Sequence, residues 1–200
     1  MKTLTFFGIL FMDIFTIIIG ILAYLIGAIP TGYLIAKLKG INDIRAHGSG
    51  NIGATNVSRV LGKTYFFLIF FLDAGKAFLY IQLLKPYFDL SYLCIFASLL
   101  LFGNGCSIFL QGSGGKGVAT LFGLLMALNT YTALILFGIW ALLLLITHTV
   151  GVASAGAAPF LPLYAYLMNQ PPLLFLFSLF AALWIIQSHR ANIQAYWNNR

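Results

Sequence analysis

The chain is 200 residues long, 61% hydrophobic and 16% aromatic, with only 8% charged residues and a mean hydropathy of +0.97. Soluble domains carry about a quarter charged residues, so the composition excludes one, together with collagen-like, disordered and disulfide-stapled chains. Eleven Lys and Arg stand against four acidic residues, all Asp, for a formal net charge of +7. The expectation is one polytopic, all-α membrane domain over residues 1–200.

A helical crossing needs roughly 20 apolar residues. The opening apolar run, from Leu4 to about Ala36, is too long for a signal-peptide core and contains Asp13, so it reads as a retained first span. The apolar runs predict spans at about 14–38 (containing Pro30), 64–84, 91–110, 117–129, 130–148, 154–168 and 172–188. That makes about seven transmembrane helices, with the fourth and sixth short or re-entrant. Asp73 and Lys76 lie three apart within the second span, on one helical face, which predicts mutual pairing.

An odd number of crossings gathers the connections at about 39–63, 103–117 and 148–154, with the tail 188–200, on one face. That face holds Lys37, Lys39, Arg45, Arg59, Lys63, Lys116, Arg190 and Arg200; the other holds Lys2 and Lys85. The bias makes the rich face cytoplasmic. It also explains the basic stretch 37–63 without nucleic acid. Cys94 and Cys106, isolated and without clustered His, form neither a metal motif nor a disulfide framework.

Four polar constellations lie on the basic face. His47 to Arg59 contains Gly48, Gly50 and Gly53 at dinucleotide-loop spacing, but no strand and no βαβ unit can precede them between membrane helices. The physical element survives: glycines let backbone N–H groups converge on an anion. Ser49, Asn51, Thr55 and Asn56 add polar side chains, and Arg59 adds a planar fork suited to phosphate. The bland alternative is a flexible loop.

Gly112-Ser113-Gly114-Gly115-Lys116-Gly117 opens the fourth apolar run. It departs from a P-loop, because Leu110 replaces the first glycine and Gly117 replaces the Ser/Thr that would hold Mg²⁺. A Gly-rich turn feeding a helix still makes an anion site; the alternative is a close helix crossing with a snorkelling Lys. The third constellation is a short turn from Thr147 to Ser154, and the fourth is Ser188-His189-Arg190-Ala191-Asn192. No H-x₄-D dyad follows any His, and there is neither a serine-hydrolase elbow nor H-E-x-x-H. Without Glu, a carboxylate general base is not expected. The chemistry must rest on anion binding, positioning and a substrate that already carries a good leaving group.

The segments GSGNIGATNVSR, GGKGVAT and HRANI, with Ser154, GAIPTGYLIAK and the Asp73–Lys76 spacing, resemble the bacterial acyl-phosphate:glycerol-3-phosphate acyltransferases from about Ala23 onward. The resemblance implies a seven-helix inner-membrane enzyme with its shared loops in the cytoplasm. Such an enzyme moves an acyl chain from acyl phosphate to the 1-hydroxyl of glycerol 3-phosphate and takes part in phospholipid biosynthesis. It uses no cofactor and no metal, works in membrane lipid, and has a further partner in the enzyme that supplies acyl phosphate. By position, Ser49, Arg59, Lys116, Ser154, His189 and Asn192 would contact glycerol 3-phosphate, with Lys116, His189 and Ser154 as the catalytic set. Gly50, Asn51, Thr55, Asn56, Gly114, Gly115 and Gly117 would complete the substrate-binding set around the acyl phosphate. This chain departs from the family pattern at Gly103-Asn104, at Gly112-Ser113, and at His148 and Gly151. A transporter or channel for phosphorylated solutes is the rival reading; it needs polar paths to both faces, and the outer face is nearly bare.

Overall fold

The computed structural model describes the backbone of residues 2–198 and the side chains of residues 13–198, all of it helix, turn and loop without a strand among the described residues. Arg200 and the side chain of Lys2, both used above for sidedness, lie outside the described residues.

Helix α1 (Lys2–Ala28) gives way to α2 (Thr31–Leu38) at Ile29-Pro30, with a bend of 42°. Pro30 has no N–H to donate and disfavours helical backbone in the residue before it, so the first span breaks there. The break leaves carbonyls without helical partners. Lys76 supplies a donor from the neighbouring span: its Nζ lies 2.9 Å from the Ile29 carbonyl, 3.3 Å from that of Gly27 and 2.8 Å from Asp73 Oδ1. Thr31 Oγ1 donates to the same carboxylate oxygen at 2.8 Å. The expected Asp73–Lys76 pair therefore forms, and it fastens the broken first span to the second.

Next come α3 (Ala54–Leu61), α4 (Thr64–Leu84) and α5 (Leu90–Gly105). They are followed by α6 (Val118–Leu128), α7 (Thr130–Thr147), α8 (Val150–Ala157) and α9 (Phe160–Leu167). The chain closes with α10 (Pro172–Ser188) and α11 (Arg190–Asn198), bent by 49° at His189. Four stretches are long and apolar enough to cross a membrane: α4, α5 with the turn to Leu110, α7, and the α8–α9 rod; the two bent pairs raise the number to six. The eleven residues of α6 reach only about 16 Å at 1.5 Å per residue, so the predicted fourth span is a half-span.

Other expectations need correction. Residues 39–63 are not all loop, since α3 lies within them, and the tail forms α11. The sixth span begins at Val150 rather than 154 and is not short. Its Gly, Ala and Ser content resembles a turn, but His148 in the left-handed conformation (φ +51°) ends α7 and Thr149 starts the next helix at once. Ser154 thus lies inside α8. Likewise α5 runs to Gly105, so Asn104 is on a helix.

Helix α5 is the centre of the packing. Against α1, Gly27 meets the Leu100 carbonyl and Gly103 meets the Tyr24 carbonyl, with no room for a Cβ at either. Gly123 lets α6 lie equally close to the Ala74 backbone of α4. Such backbone contact is how helices associate where lipid removes the hydrophobic drive between them. Phe96, Leu100, Leu101, Leu124 and Phe177 fill the core. The outward residues are apolar as well: only 11% of α7 is buried within the protein, so acyl chains of the bilayer must cover the rest. The fold is that of an integral membrane protein.

Candidate active site

All four constellations border one cavity of about 650 Å³. Its polar end collects Ser49, Asn51, Thr55 and Arg59 from the first, Gly115, Lys116 and Gly117 from the second, and His148, Thr149, Gly151 and Ser154 from the third. His189 and Asn192 complete it.

The helix starts show what this end is built to hold. Asp89 accepts from the Ser91 and Tyr92 N–H groups at the start of α5, and Asn129 accepts from the Thr132 N–H at the start of α7. These helices satisfy their own first-turn donors. Among the described residues, seven α-helices have no side-chain cap, and three of these, α3, α6 and α8, start at residues that border the cavity, Ala54, Val118 and Val150. Three positive helix ends and their free N–H groups thus converge on one space, an arrangement that favours anions. Gly117, at φ +85°, makes the left-handed turn that aims α6 there.

Two cations reinforce the field. Arg59 has no hydrogen-bond or ion-pair partner among the described residues, and Lys116 Nζ donates only to Asn192 Oδ1. Burial, and then the nearby Arg59, hold the Lys116 ammonium below its usual pKa. An arriving phosphate would relieve that repulsion. Arg45 is different: it is spent on Asp43 at 2.7 Å.

His189 is 3% exposed, and its Nδ1 lies 2.8 Å from the Ile185 carbonyl. A carbonyl only accepts, so Nδ1 carries the proton and Nε2 keeps a lone pair. Burial pushes the imidazole down to about 4, against the opposing carbonyl contact and with some help from Lys116. It is neutral at pH 7, an acceptor and a weak base. Ser154 Oγ donates to the Val150 carbonyl at 2.8 Å and accepts from Trp140 Nε1 at 3.1 Å. Its proton is committed, which suits a positioning role better than nucleophilic attack.

Other expected site residues serve the loops. Asn56 borders the cavity, but its Oδ1 accepts from the Ser49 N–H at 2.7 Å and its Nδ2 donates to the His47 and Asn51 carbonyls at 3.0 and 2.8 Å. It orders the first loop, and both of its amide hydrogens are spent there. Asn51 accepts from the Gly53 N–H and reaches the Gly114 carbonyl at 3.4 Å, linking the first and second loops. Gly50 and Gly114 do not border the cavity; Gly114 is packed against the Asn104 and Gly105 carbonyls. Gly151, one of the departures, is where α8 closes on Asn192, whose side chain would have to shift to admit a Cβ there.

Beyond the polar end the cavity becomes an apolar trough between α4, α6 and α7. Phe66 and Phe70, Phe122 and Leu125, and Leu136, Phe137 and Trp140 line it. Phe70, Phe122 and Phe137 form a continuous aromatic surface, with centroids 5.6 and 5.8 Å apart. Phe67 and Phe71 are more than half exposed, so the trough opens sideways towards lipid. From His148 to Ala133 it follows fifteen residues of α7, about 22 Å at helical rise, enough for an extended fatty chain. The α7 positions 133, 136/137 and 140 carry a helical stripe that uniform hydrophobicity conceals in the sequence. Asp73, the one acidic residue on the wall, is neutralised by Lys76. Among the described residues, Leu125, Ala133 and Leu136 give the far part of the trough an apolar lining. Among the described residues no three His, Cys, Asp or Glu side chains gather as metal ligands.

Residues 17–199 match the family described as Glycerol-3-phosphate acyltransferase. Among curated relatives, the glycerol-3-phosphate acyltransferase of Thermosipho melanesiensis is 39% identical over 181 residues, covering 90% of this chain and 87% of its own. That of Thermosynechococcus vestitus is 41% identical over 194 residues, covering 89% and 91%. Among solved structures, the glycerol 3-phosphate form of PlsY, an integral membrane glycerol 3-phosphate acyltransferase, superposes with a TM-score of 0.87 at 36% identity, covering 92% of this chain and 93% of that one. Its lysophosphatidic acid form gives 0.85 at 35% identity over the same shares.

Proposed function

The chain belongs to the glycerol-3-phosphate acyltransferase family, and from that premise we propose that it moves a fatty acyl group from acyl phosphate to the 1-hydroxyl of glycerol 3-phosphate. The products are lysophosphatidic acid, for phospholipid synthesis, and inorganic phosphate. The observation that carries this reading is the joining of three uncapped helix starts and two cations, Arg59 and Lys116, to a lipid-facing apolar trough. Two phosphate groups and one acyl chain have matching surroundings in a single cavity.

Glycerol 3-phosphate is held by Ser49, Arg59, Lys116 and Asn192, whose amide N–H₂ is left free when Oδ1 accepts from Lys116. His189 Nε2 accepts a hydrogen bond from the 1-hydroxyl and orients it; Ser154, fixed by Trp140, supports the same wall. The acyl phosphate lies along the Gly115–Gly117 turn with its chain in the trough, where each buried methylene contributes about 0.8 kcal/mol. The hydroxyl oxygen bonds to the acyl carbon, the carbon–oxygen bond to phosphate breaks, and the departing phosphate takes the hydroxyl proton. A neutral imidazole near pKa 4 is too weak to hold that proton, whereas the phosphate leaves readily. Free N–H groups at the start of α6 stabilise the oxyanion and the leaving phosphate, and alignment of the two reactants supplies much of the acceleration.

The remaining basic residues, Lys37, Lys39, Lys63 and Arg190 among them, follow the sidedness of a cytoplasmic site in the bacterial inner membrane. There the chain would meet acyl phosphate from a supplying enzyme. The test uses purified protein in lipid with palmitoyl phosphate and glycerol 3-phosphate, following phosphate and lysophosphatidic acid together. Equal release requiring both substrates, and lost in Lys116→Ala, is the expected result. Phosphate without lipid product would make the protein a hydrolase, and no release from folded protein would reject the reading.

A further inference from the structure

Two buried polar side chains on the cavity wall, Asn104 and Thr120, have no assigned task. Asn104 is 7% exposed and borders the cavity, yet its side-chain amide has no hydrogen-bond partner among the described residues. Neither of its polar atoms is sealed from the cavity, unlike the Thr120 hydroxyl nearby. A buried amide left unpaired costs stability, so in a native site it marks a place where a ligand or water completes the bonding.

The surroundings hold it rigidly. Gly103 is wedged on the Tyr24 carbonyl and Gly105 on the Trp184 ring, so the last turn of α5 cannot rotate. The Asn104 carbonyl accepts from the Gly115 N–H at 2.9 Å, which ties the residue to the glycine turn before α6. Its side chain crosses the open face of Gly115: a Cβ there would lie 3.1 Å from Oδ1. Gly115 is next to Lys116, whose ammonium donates to Asn192. Asn104 thus borders the same cavity as the glycine turn, beside Gly115.

Resting on the acyl-phosphate reading above, we infer that the Asn104 side-chain amide donates a hydrogen bond to the oxygens of the acyl phosphate and positions it over the glycine turn. An amide suits this place because it donates without adding a third cation beside Arg59 and Lys116, and without a charge that changes with pH.

The test varies palmitoyl phosphate at fixed glycerol 3-phosphate, and then the reverse, in wild type, Asn104→Leu, Asn104→Asp and Asn104→Ser. A hydrogen bond to a charged group is worth about 1.5–3 kcal/mol, or roughly ten- to hundredfold in kcat/KM. The expected result is a loss of that size for palmitoyl phosphate in Leu and Asp, with Asp at least as impaired as Leu, and partial recovery in Ser. KM for glycerol 3-phosphate stays within twofold. A structural role predicts the opposite order, because Asp preserves shape and polarity better than Leu. Stabilisation of the purified proteins by palmitoyl phosphate alone, read from thermal unfolding, separates this inference from the reading beneath it. If wild type is stabilised and Asn104→Leu is not, the amide contact stands even without turnover. Equal stabilisation of all four, kcat/KM within twofold of wild type, or a loss confined to glycerol 3-phosphate would overturn it.

Discussion

Replacing Lys76 by Met removes one ammonium and leaves three groups behind: the Asp73 carboxylate and the Ile29 and Gly27 carbonyls at the break in the first span. The two side chains are only 14% and 13% exposed, so water does not replace the lost partner. Breaking a buried pair from one side costs about 3–5 kcal/mol, and the orphaned carbonyls place Lys76→Met in the upper part of that range. Asp73→Asn is milder, at about 1–3 kcal/mol, because the ammonium keeps both carbonyls and Thr31 Oγ1 keeps a neutral acceptor. The double variant Asp73→Asn/Lys76→Met buries no lone charge and should lie well above the sum of the singles, with a coupling of about 2 kcal/mol. Thermal and denaturant unfolding of purified protein in one detergent measure all three. The break also sets α2, whose Gly32 packs on the Ile52 carbonyl in the first loop, so KM for glycerol 3-phosphate should rise in Lys76→Met. Equal losses below 1 kcal/mol in both single variants would refute the claim that this pair fastens the broken span.

Three further outcomes follow from the site. An unfolded imidazole titrates near 6.5 and His189 near 4, so between these values the unfolded state binds the extra proton. Stability is full above pH 6.5 and falls with decreasing pH, by about 3 kcal/mol in all; His189→Gln should flatten that part of the unfolding profile. The lowered Lys116 pKa predicts an alkaline rise in KM for glycerol 3-phosphate that sets in below the ordinary lysine range, and Lys116→Arg should lack that limb whatever its absolute activity. Asn56→Ala removes three loop hydrogen bonds, worth roughly 2–4 kcal/mol together. It should speed proteolysis within residues 47–53 and raise KM, whereas unchanged cleavage would return Asn56 to direct substrate binding.

Much of this protein is determined by local sequence. Apolar run length and the sparse charges dictate the spans, and Pro30 dictates the break in the first of them. Glycine with Arg59, and glycine with Lys116, announces anion sites because backbone donors need no tertiary help to point outward. Asp73 and Lys76 pair because i,i+3 residues share a helix face. Other features needed the fold. The start of α8 at Val150 hides in a Gly/Ala/Ser segment whose helicity comes from packing and not from propensity. That Asn56 and Asn51 build loops, while Asn192 faces the cavity, depends on which carbonyls lie beside each amide. The lining of the trough depends on the rotation of three uniformly apolar helices, for which hydrophobicity carries no phase. Asn104 was legible only as an odd residue after Gly103; its unpaired amide exists because α5, the glycine turn and α10 meet there. Sequence specifies each element's chemistry through its neighbours in the chain, but a site's hydrogen-bond partners are distant in the chain, and only packing brings them within reach.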